Sequence, residues 1–150
     1  MQISQQQVVR GALLLAIALI AQQLRLILPF PVLITTLIIG TLVNAALVLA
    51  IRHTGIFVAT TMCFALPIIA FLQGHLPLPL LIPVVFLGNL VFILICYKWW
   101  SMPIFIIAPV VKTFVMYASS LLILMSFGIN NTIVQGVLIG MGWPQLVTGV

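Results

Sequence analysis

The sequence contains no aspartate and no glutamate in 150 residues. That absence removes several chemistries at once. No carboxylate pair can act as general acid and base, and no carboxylate can hold calcium or magnesium. Nor can an acidic side chain carry the proton or sodium ion of an ion-coupled carrier. Charge of any kind is scarce, at 3%, supplied by Arg10, Arg25, Arg52, Lys98 and Lys112. A soluble domain carries roughly 25% charged residues, and a disordered chain combines high charge with low hydrophobicity, so both classes are excluded. There is no G-x-x-x-x-G-K-[ST] run, hence no P-loop for ATP. The two cysteines, Cys63 and Cys96, lie singly in apolar runs outside any C-x-x-C or Cys/His spacing. They read as packing residues, with no metal or redox site. Five scattered cations make no patch for nucleic acid, and without a nucleophile–base pair or metal cluster the chain does not read as an enzyme.

What is abundant is apolar: 65% of the residues are hydrophobic. A spanning helix takes ~20 apolar residues, so the chain has room for about six or seven crossings with short connections and for one domain, residues 1–150. Proline, glycine and the rare charges punctuate it. The expected spans are Val8 to Leu28, Val32 to Ile51, Ile56 to Leu72, Leu80 to Tyr97, Pro103 to Met125 and Thr132 to Val147. Backbone polar groups cannot go unpaired in hydrocarbon, so each must be helical, giving an all-α membrane protein of six transmembrane helices. The first stretch follows a single basic residue, Arg10, and reads as an uncleaved span. Placing the N-terminus in the cytoplasm puts Arg10, Arg52 with His53, and Lys98 at cytoplasmic ends, and an even number of spans returns the C-terminus there. Trp99 and Trp100 beside Lys98 suit an inner interfacial anchor.

Some polar residues are not accounted for by topology. Arg25 sits near the outer end of the first span, with Gln22 one turn before it on the same side of the helix. Lys112 lies nine residues into its span, ~13 Å at 1.5 Å per residue, near the expected midplane. A cation there costs ~2.5–3.5 kcal/mol on insertion scales, and no acid exists to pair with it. Asn89, preceded by Gly88, is expected at similar depth. Its amide either bonds between helices or faces a ligand. Asn44, among Gly40, Ala45 and Ala46, reads as interhelical glue. Gln73 and His75 fall in the outer loop before the fourth span, and Asn130, Asn131 and Gln135 open the sixth. Together Gln22, Arg25, Gln73, His75, Asn89, Lys112, Asn131 and Gln135 outline an outward pocket in an apolar wall, suited to a neutral or anionic ligand. His75 could also serve as an axial ligand to haem iron, with the cations on the propionates.

Three stretches carry a family likeness: Ala12-Leu13-Leu14-Leu15-Ala16 in the first span, P-I-I-A-F-L-Q-G-H-L-P-L-P at 67–79, and P-x-x-x-L-G-N at 83–89. With the mid-span Lys112 and six short helices, the whole chain resembles the substrate-binding S components of energy-coupling factor (ECF) transporters. The resemblance implies capture of a vitamin or other micronutrient at the outer side of a multi-pass protein in a prokaryotic cell membrane. It further implies docking on a transmembrane T component served by two cytoplasmic ATPases, the only users of ATP, with Ala12 and Ala16 at the contact. No resident cofactor is implied. Two other classes compete with it: a ligand-free structural or assembly protein whose polar residues only join helices, and a small facilitator, which would need a polar stripe through the full thickness.

Overall fold

The computed structural model describes residues 4–27, 29–99 and 103–149. Leu28, Trp100 and Ser101, where span ends and part of the aromatic anchor were expected, lie outside these. The chain is all-α: α1 is Gln5–Ile27, α2 Val32–His53, α3 Ile56–Leu72, α4 Leu81–Lys98, α5 Ile104–Ser126, α6 Asn131–Met141 and α7 Trp143–Gly149. Four of them (α1, α2, α4 and α5) are long and apolar enough to cross a membrane, and α3 is a shorter apolar helix of 17 residues. Large side chains such as Leu13, Ile17, Ile20, Phe64, Phe114 and Leu122 are exposed on the outside of the bundle. An apolar exterior over an apolar interior is what a multi-pass membrane protein presents to lipid.

The breaks have local causes. Pro29 and Pro31 bracket the α1–α2 turn. Gly55 and Gly74 take φ of 89° and 74° where α3 begins and just after it ends, a region that side-chain-bearing residues rarely enter. Asn130 caps α6, its Oδ1 accepting from the Thr132 N–H at 3.0 Å. At the other end of the bundle the Lys98 ammonium lies 4.5 Å from the centroid of the Trp99 ring.

One expected element differs. The apolar stretch from Thr132 to Val147 is not one helix but two, parted at Gly142, whose ψ of −118° is not helical. Pro144 has no N–H to give the Gly140 carbonyl, which a continuous helix would require, whereas the first turn of a new helix tolerates it. After the break α7 packs between α2 and α5, with Thr148 against Gly40 and Gly149 against Pro109. A Cβ on Gly40 would fall 2.6 Å from the Thr148 methyl, so glycine is what admits α7 there.

Two apolar clusters form the interior. The larger joins Ala18 of α1, Leu47 and Ala50 of α2, Met62 and Cys63 of α3, Phe92 and Cys96 of α4, and Ala108 of α5. These belong to the half of the bundle that carries Arg52 and Lys98, and each is 2% exposed or less. The smaller joins Leu81, Val84, Met116, Leu124 and Val134 on α4, α5 and α6. Between the two, in the half carrying the α1–α2 and α3–α4 loops, the helices do not close.

Candidate functional site

A cavity of about 380 Å³ occupies that opening. Its volume lies within the ~300–1,000 Å³ range of small-molecule sites. The walls are mostly apolar: Ile39 and Val43 of α2, Leu66 and Pro67 of α3, Leu81 and Val85 of α4, Met116 of α5, and Val137 and Met141 of α6. His75, Leu76 and Pro77 bring the α3–α4 loop over it. Among the described residues the backbones of α2 and α6 stay more than 8 Å apart, with the cavity between them above α7. On the α6 side the wall is set back by Gly136 and Gly140, where an added Cβ would meet nothing within 4 Å.

Five of the residues expected at an outward pocket line this cavity: Gln22, Arg25, His75, Asn89 and Lys112. Lys112 is 3% exposed and does not snorkel out of the bundle. Its Nζ donates to Asn44 Oδ1 at 2.6 Å and stands 5.3 Å from the centroid of the Phe92 ring. Asn44 in turn donates through Nδ2 to the Thr148 carbonyl at 3.0 Å. The three residues thus form a buried bracket tying α5, α2 and α7, with the ammonium as its member on the cavity. A charge so placed is tolerated only because neutral acceptors and an aromatic face take the place of water. Gly88 contributes from the opposite side: it lets Met116 lie directly on α4, and a Cβ there would also come within 3.7 Å of Lys112 Cγ. Asn89, the next residue, is 3% exposed.

At the loop end Arg25 donates from Nη2 to Thr36 Oγ1 at 2.9 Å, which joins α1 to α2. Around it several polar atoms are buried without a hydrogen-bond partner: Gln22 Oε1, Arg25 Nε, His75 Nε2 and Gln73 Oε1. Each such atom costs on the order of 1–3 kcal/mol if nothing fills its valence, and the three on cavity-lining residues, Gln22, Arg25 and His75, mark where a ligand or water would bond. Loss of solvent at His75, and after that the Arg25 charge, push its imidazole below the usual value of 6.5, which favours the neutral ring.

Three other expected residues sit elsewhere. Asn131 and Gln135 are exposed and outside the cavity lining, because α6 turns Gly136-Val137 and, one turn on, Gly140-Met141 toward it. Gln73 ends α3 beside the cavity without lining it. Conversely, Thr36, Asn44 and Gln145 line the cavity although only Asn44 stood out in the sequence, and then as glue. Thr36, Gly40 and Asn44 recur every four residues on α2, a polar and small stripe that points to one face. Gln145 gave no such signal.

Ala12 and Ala16 are both exposed on α1, one turn apart beside Leu13 and Ile17. Of the four long helices α1 is the least buried within the bundle. Among the described residues no three His or Cys side chains gather as metal ligands. No protein-family model, curated protein or solved structure matches the chain.

Proposed function

We propose that this chain is the substrate-capture subunit of an ECF-type importer, with its N-terminus in the cytoplasm. In this reading the Arg52 and Lys98 end faces the cytoplasm by the distribution of basic residues, and α6 and α7 enter from the outer side as far as the level of Asn44. The cavity then opens outward. The observation that carries the proposal is its one-sidedness: a chamber with Gln22, Arg25, His75, Asn89 and Lys112 on its walls, and a buried apolar cluster beneath it. On this reading the molecule holds a micronutrient on its outer side and leaves inward release to a partner, and because the sequence carries no P-loop, ATPases on other chains supply the energy. The exposed Ala12 and Ala16 on the least-covered helix supply a flat, close-approach face for a transmembrane T component, as small-xxx-small spacing does between membrane helices.

The decisive experiment pairs ligand with uptake. Native mass spectrometry of the gently purified chain is expected to show a bound small molecule, with uptake of that molecule in cells dependent on a T component and its ATPases. Ala12→Trp and Ala16→Trp should leave binding intact and stop uptake. A chain that purifies empty and supports no uptake would instead favour the structural reading, on which the Lys112–Asn44–Thr148 bracket serves solely to join helices.

A further inference from the structure

The two cations of the cavity are fixed to the same helix. Arg25 is held at Thr36 and Lys112 at Asn44, and these anchors are eight residues apart on α2, ~12 Å along its axis. Between them the α2 wall is apolar or bare, with Ile39, Gly40 and Val43. Neither cation is satisfied by the protein. The ammonium has three donors and one acceptor, Asn44 Oδ1, while the guanidinium keeps a buried Nε without a partner. The sequence has no carboxylate to offer either one. Beside Arg25, Gln22 is 7% exposed with its Oε1 unpartnered, so the mouth holds an orphan acceptor next to an orphan donor.

We propose that the cavity takes an elongated ligand with a polar group at each end and an apolar body: an anionic group on Lys112 at the floor, and a carboxyl or comparable oxygen-rich group on Arg25 and Gln22 at the mouth. The inference deepens the capture reading and rests on its assignment of this cavity as the binding site. Lys112 neutralises the inner charge among apolar walls, where a charge-assisted bond is stronger than in open water. A carboxylate at the mouth supplies the acceptor that Arg25 Nε lacks, and a protonated carboxyl or an amide there would also donate to Gln22 Oε1. A ligand charged at one end only would leave one of the two cations as it is.

The test is a molecular ruler. Binding of the α,ω-dicarboxylates from succinate to dodecanedioate to the purified full chain is measured by calorimetry, with hexanoate, octanoate and decanoate as one-ended controls. Affinity should pass through a maximum at the members whose carboxylates reach ~12 Å apart. Those members should bind about tenfold to a hundredfold more tightly than the monocarboxylate of equal length, the value of one charge-assisted hydrogen bond. Arg25→Met and Lys112→Met should each erase that margin while size-exclusion profile and helicity stay unchanged. If a variant fails to fold, the wild-type length series decides alone. A flat series, or monocarboxylates that bind as well as dicarboxylates, overturns the proposal. A flat series with Ala12-dependent uptake intact refutes the two-ended ligand and leaves the importer. A clear maximum with no dependence on a T component does the reverse.

Discussion

Replacing Asn44 with leucine, a residue of similar size, isolates the energetics of the buried bracket. The substitution removes the acceptor 2.6 Å from the Lys112 ammonium and the donor 3.0 Å from the Thr148 carbonyl. A hydrogen bond to a charged group contributes ~1.5–3 kcal/mol, and a buried carbonyl left unpaired costs ~1–3 kcal/mol. Bonds between membrane helices measure lower, ~0.6 kcal/mol on average and ~1.7 at most, because the unfolded chain in lipid also finds partners. Taking both scales together, Asn44→Leu should destabilise the fold by about 2–4 kcal/mol. The second half of the experiment is sharper. Lys112→Met removes the charge that Asn44 satisfies, so the double variant should be more stable than Asn44→Leu alone, as replacing both members of a buried polar pair generally is. Unfolding in mixed micelles, followed by tryptophan fluorescence and helicity, gives the four corners of the double-mutant cycle. A double variant as unstable as the sum of the singles would mean that the two residues are not coupled, and the bracket would have to be discarded.

Two glycine substitutions should part company. Gly40→Leu drives a side chain into Thr148 and should cost about 1–3 kcal/mol as α7 is displaced, whereas Gly136→Ala, with nothing to meet, should raise stability by about 0.5–1 kcal/mol. Thermal unfolding of both variants compares them directly, and equal shifts would refute the close α2–α7 approach. For His75 the native pKa lies below the ordinary 6.5, so the unfolded chain takes up the proton more readily. Its contribution is therefore full above 6.5 and declines as pH falls toward the lowered native value. A stability profile from neutral to mildly acidic pH should show that decline, and His75→Gln should flatten it. An unchanged slope in the variant would place the titrating group elsewhere.

Element boundaries were legible where proline and glycine supply hard stops. The third helix runs from Ile56 to Leu72 as expected, between Gly55 and Gly74. The break at Gly142 was hidden because one glycine in an apolar run has no fixed meaning, and the proline two positions later acts only through a missing N–H. The half of the bundle holding the cavity could be foreseen, since Gln22, Arg25 and His75 cluster at one end of the chain's up-and-down path. Which residues face one another could not. α2, which carries Asn44, and α3 and α4 are apolar on most sides, so periodicity gives their rotation only weakly. Lys112 and Asn44, 68 positions apart, therefore read as separate features, one a ligand contact and one glue, although they share a single hydrogen bond. Asn131 and Gln135 miss the lining for another reason: α6 is amphipathic, burying Val134, Val137 and Met141 and leaving these two polar side chains on its exposed face.

The interruption at Gly142 also divides the chamber mechanically. Among the described residues the backbone of α6 comes close only to α5 and α7, while α7 is bolted to α2 through Thr148 and Gly40. On the capture reading, one side of the chamber is thus a separate panel, and its base is a riveted joint. If the panel swings, the volume beside Gly136 and Gly140 changes while the ammonium at the bottom keeps its seat, so the protein can adjust how large a guest it admits without altering the charge that greets it.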